Sequence, residues 1–148
     1  MDKAFEDFFS ELQADMVSIC LEYVDGKAGK IYIYSSCEQD KITSDFFFRI
    51  DGKLLRKHKL NEGGQRHDVS PARQKAALKI LIDDTKKILF LCEEYRRPMP
   101  TEIKLIYDVT KKHLDASYSY DLVHSNDPRR TARMVVDDWY SEIELQGR

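Results

Sequence analysis

Cysteine is scarce and poorly placed for chemistry. Cys20, Cys37 and Cys92 are odd in number, far apart and form no C-x-x-C pair. That excludes a disulfide scaffold and the usual zinc-ligand spacings, and it fits packed thiols in a reduced, cytoplasmic chain. Long apolar runs are missing too. No segment approaches the ~18 consecutive apolar residues of a membrane helix, so no membrane partner is expected. The opening MDKAFEDFF is acidic and amphipathic, which is wrong for a secretory signal. There is no G-x-S-x-G, no Walker loop and no G-x-G-x-x-G, and Gly63-Gly64 lacks the Lys-Ser/Thr of a phosphate loop. His58, His67, His113 and His124 match no metal-ligand spacing. An excess of one charge is also lacking, since the net charge is −2. A weakly acidic chain has no electrostatic grip on nucleic acid by itself. These absences leave no catalytic residue, metal or cofactor to expect, and they argue against an enzyme.

What is present is material for a core. The chain has 148 residues, 42% of them apolar, with seven Phe, eight Tyr and one Trp. That suits one domain spanning residues 1–148. The charge is segregated along the chain. Residues 1–25 are net −6, residues 26–99 net +6 and residues 100–148 net −2. The acidic start partly neutralises the basic middle. The basic stretch Arg56–His67 holds no aromatic residue to stack on a base, so it reads as a solvated loop.

Periodicity supplies the elements. Phe5, Phe8, Phe9, Leu12, Met16, Ile19, Cys20 and Tyr23 recur every three or four residues, which predicts an amphipathic helix ended by Asp25-Gly26. KIYIYSSCE (Lys30–Glu38) and ITSDFFFRI (Ile42–Ile50) are rich in β-branched and aromatic residues and predict strands. Asp51-Gly52 is a hairpin signal, and Lys53–Lys57 returns as a third strand. A polar loop over 58–69 precedes Ser70-Pro71, an N-cap followed by a first-turn proline. The long helix it opens runs to about Arg97, with Ala77, Leu81, Ile88, Leu89, Cys92 and Tyr95 inward; Pro98 and Pro100 stop it. Glu102–Thr110 and His113–Tyr120 predict a second hairpin. A last helix is expected to start at Asp127-Pro128, with Ala132, Val135, Val136, Trp139 and Ile143 on one face. The order is α-βββ-α-ββ-α, an α+β fold with an antiparallel sheet covered by helices.

The late hairpin, YDVTKKHLDASYSYDL, concentrates acids and tyrosines. A turn at Lys111-Lys112 pairs Val109 with Leu114, Tyr107 with Ala116, Leu105 with Tyr118 and Ile103 with Tyr120, all inward. The outer face then carries Lys104, Asp108, Asp115, Ser117, Ser119 and Asp121, with Asp108 opposite Asp115. Directly opposed like charges destabilise a strand pair by up to about 1 kcal/mol. Solvent and the nearby Lys104, Lys111 and Lys112 offset that, or a basic partner does. Only Ile106 is apolar on this face, too little to raise a carboxyl pKa for hydrolysis. His113 beside the aspartates is the one constellation that suggests a metal. Arg129, Arg130 and Arg133 near the start of the last helix oppose its dipole and call for acids such as Asp127 and Asp137.

The strand KIYIYSS, the DFFFRIDGKL hairpin, EIKLIYDVTKKHLDASYSYD and the closing DDWYSEI together resemble the YezG-like immunity proteins, small bacterial antitoxins. The resemblance covers nearly the whole chain. It implies a cytoplasmic protein, monomer or weak dimer, that binds and neutralises a cognate toxin, often a nuclease domain delivered between competing bacteria. On that expectation the acidic hairpin face (Asp108, Asp115, Asp121, with Ser117, Ser119 and Lys104) meets the toxin's basic cleft. The acidic face of the first helix (Glu6, Glu11, Glu22) is the rival surface. A different class stays open: a small ligand-binding or enzymatic domain with Tyr32 and Tyr34 in a pocket under the long helix. A plain adaptor is a third.

Overall fold

The structure is a computed structural model that describes residues 4–147. The elements follow the expected order: α1 (Phe5–Tyr23), β1 (Lys30–Glu38), β2 (Lys41–Ile50), β3 (Lys53–Arg56), a 3-10 turn (Leu60–Gly63), α2 (Pro71–Glu94), β4 (Glu102–Asp108), β5 (His113–Ser119) and α3 (Ala132–Gln146). The five strands form one antiparallel sheet in the order β3-β2-β1-β4-β5. No helix among the described residues is long and apolar enough to cross a membrane.

β1 lies in the middle of the sheet because its sequence is apolar on both faces. Ile31 and Ile33 point to one side, where Phe46, Phe48, Ile50, Ile103 and Leu105 join them beneath α1 and α2. Tyr32 and Tyr34 point to the other side, where Phe47 joins them under Val135, Val136, Trp139 and Ile143 of α3. The sheet is therefore clad on both faces. The aromatic rings make specific contacts: Tyr32 stacks on Phe47 at 4.8 Å, and Trp139 meets Phe47 edge-on at 5.2 Å.

Local chemistry explains the boundaries. Asp51 and Gly52 both take positive φ (52° and 80°), as a type I′ turn requires. The Ser70 hydroxyl accepts the Arg73 amide at 3.3 Å, with Pro71 at the first helical position. α2 stops at Glu94, short of Arg97, because Arg96 turns to φ 53° and the Arg97 amide bonds back to Cys92 O at 2.8 Å. Its buried stripe uses Leu91 in place of Leu89, and Tyr95 falls beyond the helix, partly exposed.

α3 does not begin at Asp127-Pro128. Thr131 is the N-cap, its hydroxyl accepting the Met134 amide at 3.2 Å. Asp127 instead closes a separate turn, accepting the Arg129 amide on its carboxylate at 2.9 Å and the Arg130 amide on its carbonyl at 3.0 Å. Arg129 and Arg130 thus precede the helix. They pair with Asp127 (3.4 Å) and Asp138 (2.9 Å), while Asp137 holds Arg56 at 2.8 Å.

The loop between β5 and α3 is tied to β1 by Glu38, only 2% exposed. Its carboxylate accepts the amides of Val123 (2.8 Å) and Ser125 (2.9 Å) and the Ser125 hydroxyl. Burial pushes its pKa up, but these donors more than offset that and hold it below the usual value. Glu38→Ala is expected to cost about 1–3 kcal/mol, because two amides lose their acceptor. Amide hydrogen exchange checks it: Val123 and Ser125 should speed up far more than residues of α2.

Candidate functional site

The late hairpin is the candidate surface, and its register differs from the sequence reading. Tyr107 pairs with Leu114, Leu105 with Ala116 and Ile103 with Tyr118. The connection is a four-residue loop over 109–112 with Lys112 at φ 53°. Asp108 therefore faces His113, and Asp115 faces Ile106. The expected opposition of Asp108 and Asp115 does not exist. The slip is two residues, so every side chain keeps its face while its partner changes.

The predicted site residues separate. The Asp108 carboxylate accepts the Lys111 amide at 3.0 Å and shapes the loop. Ser119 donates to Glu102 at 3.4 Å, and Lys104 lies 3.6 Å from the same carboxylate and 5.6 Å over the Trp139 ring. Glu102 also accepts the Tyr34 hydroxyl at 2.8 Å. Lys104 and Ser119 thus belong to the rim of α3's packing. Asp121 lies past the strand, where its carbonyl accepts the Thr101 hydroxyl at 2.6 Å. Only Asp115 and Ser117 remain on the open outer face. Asp115 lies 3.0 Å from His113 Nε2.

Among the described residues no group of three or more His, Cys, Asp or Glu is arranged to hold a metal ion. The rival acids on α1 do not form one patch. Glu6 and Glu22 are ~24 Å apart along the helix, and Glu6 is paired with Arg97 at 2.9 Å. Its main-chain hydrogen bond and that arginine both lower its pKa.

The inward tyrosines also divide. Tyr107 is half-buried. Tyr118 rests on Phe9 at 5.5 Å and takes a hydrogen bond from Gln13 at 2.5 Å, yet is 39% exposed. Tyr120 lies beyond β5 and is 55% exposed, next to Leu122 at 43%. Tyr118 and Tyr120, expected inside, thus form with Leu122 a partly bare apolar rim at the end of β5.

Tyr32 and Tyr34 do not line a pocket under the long helix. Both are fully buried under α3, and burial, then Glu102, pushes the Tyr34 hydroxyl far above its usual pKa. A cleft of about 460 Å³ lies elsewhere, between the end of β3 and the starts of α2 and α3. Thr43–Phe47, Arg56, Lys57, His58 and Arg133 are among the residues that line it.

One group escaped the sequence reading. Asp84 sits on the inward stripe of α2 between Leu81 and Ile88, and is 2% exposed. Burial, then a hydrogen bond and repulsion from Asp15 of α1, pushes its pKa up to about 7. A carboxyl on an apolar stripe was the available signal.

Compared with known proteins, the chain matches no protein-family model and no curated protein.

Proposed function

We propose that the chain is an immunity protein of the YezG-like kind, a cytoplasmic antitoxin that binds and neutralises a cognate secreted bacterial toxin. The target is a nuclease domain whose active site it blocks. The observation that carries this reading is the β5 surface. An uncovered edge strand presents Asp115 on its outer face, and the exposed Tyr118, Tyr120 and Leu122 follow along the same edge toward and past its end. Aromatic anchors with acids at their margin are the composition of a protein-binding surface. A nuclease offers the matching basic cleft, and complementary charge speeds the encounter. Tyr32 and Tyr34, the residues named for the ligand-binding or enzymatic alternative, are filled core. Within the acidic set, weight moves from Asp108 to Asp115 and Asp121.

The test is rescue and binding. Co-expression with the product of a neighbouring toxin gene should restore growth, and the two proteins should co-purify. Asp115→Lys with Tyr120→Ala should weaken the complex at least ~10-fold, about 1.4 kcal/mol, while Glu11→Lys leaves it unchanged. Loss of binding in Glu11→Lys alone would move the site to α1. Absence of both rescue and complex would sink the antitoxin reading.

A further inference from the structure

The two edges of the sheet are built differently. On one side β3 covers only Phe47–Ile50 of β2. The uncovered part of β2 is guarded: the Asp45 carboxylate caps the Phe46 amide at 2.7 Å, and Lys57 closes on Asp45 at 2.7 Å. Inward-turned charge of this kind protects an edge from pairing with another chain. The β5 edge has no such guard. It runs seven residues, His113–Ser119, without proline, lysine or an interrupted register. Hydrogen-bonding direction alternates along a strand. Ser119 O accepts from the Thr101 amide, and Val109 N bonds Gly29 O on the far side of β4. Asp108, Ile106, Lys104 and Glu102 therefore bond toward β5, and His113, Asp115, Ser117 and Ser119 bond back. The main-chain groups of Leu114, Ala116 and Tyr118 point away from the sheet. No strand among the described residues pairs with β5 on that side.

We infer that a second copy of this chain occupies that edge, the two β5 strands pairing antiparallel about a two-fold axis at Ala116 to give one continuous sheet. The sequence is self-complementary about this axis. Ala116, small and exposed, meets itself. Leu114 meets Tyr118 of the other copy on the face shared with α1, and both lie among residues whose main chain is free to bond. Asp115 meets Ser117 on the outer face, so no two acids oppose. Farther out the chain leaves the strand at both ends, where the loop lysines Lys111 and Lys112 lie toward the end that carries Tyr120 and Asp121 of the other copy. A register centred on Ser117 also opposes no acids, but it sets Ala116 against Tyr118 and leaves Leu114 facing residues past the strand. Those centred on the two neighbouring residues with free main chain match less well. Centring on Leu114 sets Asp115 against His113 but leaves Tyr118 facing Thr110; centring on Tyr118 sets Asp115 against Asp121. The dimer covers part of the exposed apolar rim and keeps the outer face of Asp115 and Ser117 open, now doubled. It claims the strand edge and part of the rim that the antitoxin reading gives to a toxin, but its test needs no toxin, so the failure of one is distinguishable from the failure of the other.

The register makes a specific test. Ser117→Asp places an acid opposite Lys104 within one chain, which the monomer tolerates. Across the dimer the introduced carboxylate faces Asp115 of the other copy, and the two-fold axis repeats that repulsion. Sedimentation equilibrium on the purified chain, with circular dichroism as the folding control, reads the outcome. The wild type should show a concentration-dependent dimer, and Ser117→Asp should weaken it roughly tenfold or more. Asp115→Lys combined with Ser117→Asp restores opposite charge at both positions and should restore the dimer. A wild type that stays monomeric overturns the inference. So does a dimer indifferent to Ser117→Asp, or a weakened one that the double variant fails to rescue.

Discussion

Trp139→Ala is expected to destabilise the protein by about 3–5 kcal/mol, the range for emptying a large aromatic site in a packed core. Domains of this size are stable by about 5–15 kcal/mol, so one such change removes much of the margin. The size of the effect follows from where the indole sits. It is 5% exposed and its ring lies within 6.3 Å of the rings of Tyr32, Tyr34 and Phe47, one of the residues that seat α3 on the sheet. Removing it leaves a hole that Val135, Val136 and Ile143 on the same helix are too short to fill. It also strips the apolar cover from the Tyr34–Glu102 hydrogen bond. Urea unfolding measures the loss. Trp139→Phe, which keeps the contact with Phe47, should lose clearly less. A midpoint for Trp139→Ala within experimental error of the wild type would mean that α3 is not an integral layer.

The second large effect is a pH dependence opposite to that of carboxylates held by ion pairs or hydrogen-bond donors. Asp84 carries a raised pKa of about 7 in the folded protein, first through burial and then through Asp15. In the unfolded chain an aspartate titrates near ~3.9. Between those values the native state holds a proton that the unfolded state has released. Stability therefore falls as pH rises from about 4 to about 7 and stays level above that. A gap of about three in pKa sets a ceiling of about 4 kcal/mol; relaxation around the pair brings the expected change to roughly 1–3 kcal/mol. Lys87 opposes the shift and Asp83 reinforces it. Asp84→Asn, neutral at every pH, should flatten the profile and make the variant the more stable form at pH 8. Denaturation at pH 5 and pH 8 decides it, since equal slopes in both proteins would remove Asp84 from the account.

Much of this architecture was legible in the sequence, and the failures have physical reasons. β1 was readable because aromatic and β-branched residues occupy both of its faces, which only a central strand does. The stripe Val135, Val136, Trp139 and Ile143 was readable because a helix cannot leave such a face in water. What it covers was not readable, because nothing local to α3 points to Tyr32, Tyr34 and Phe47 a hundred residues earlier. The late hairpin failed in one respect. Alternation fixes which side a residue faces, but a slip of two leaves that unchanged, so loop geometry alone decides between Asp108–Asp115 and Asp108–His113. Asp127-Pro128 misled because an aspartate caps an isolated turn by the same bond that caps a helix.

The position of α3 in the chain gives the outer core a history. Every strand is synthesised before α3, so the α1–α2 face of the sheet has all its parts while the other face still lacks its cover. Until residues 132–146 arrive, Tyr32, Tyr34 and Phe47 form a sticky aromatic strip on a nearly finished sheet. A nascent chain, or a fragment cut in the loop at 120–131, is then a template for aggregation rather than a smaller version of the protein.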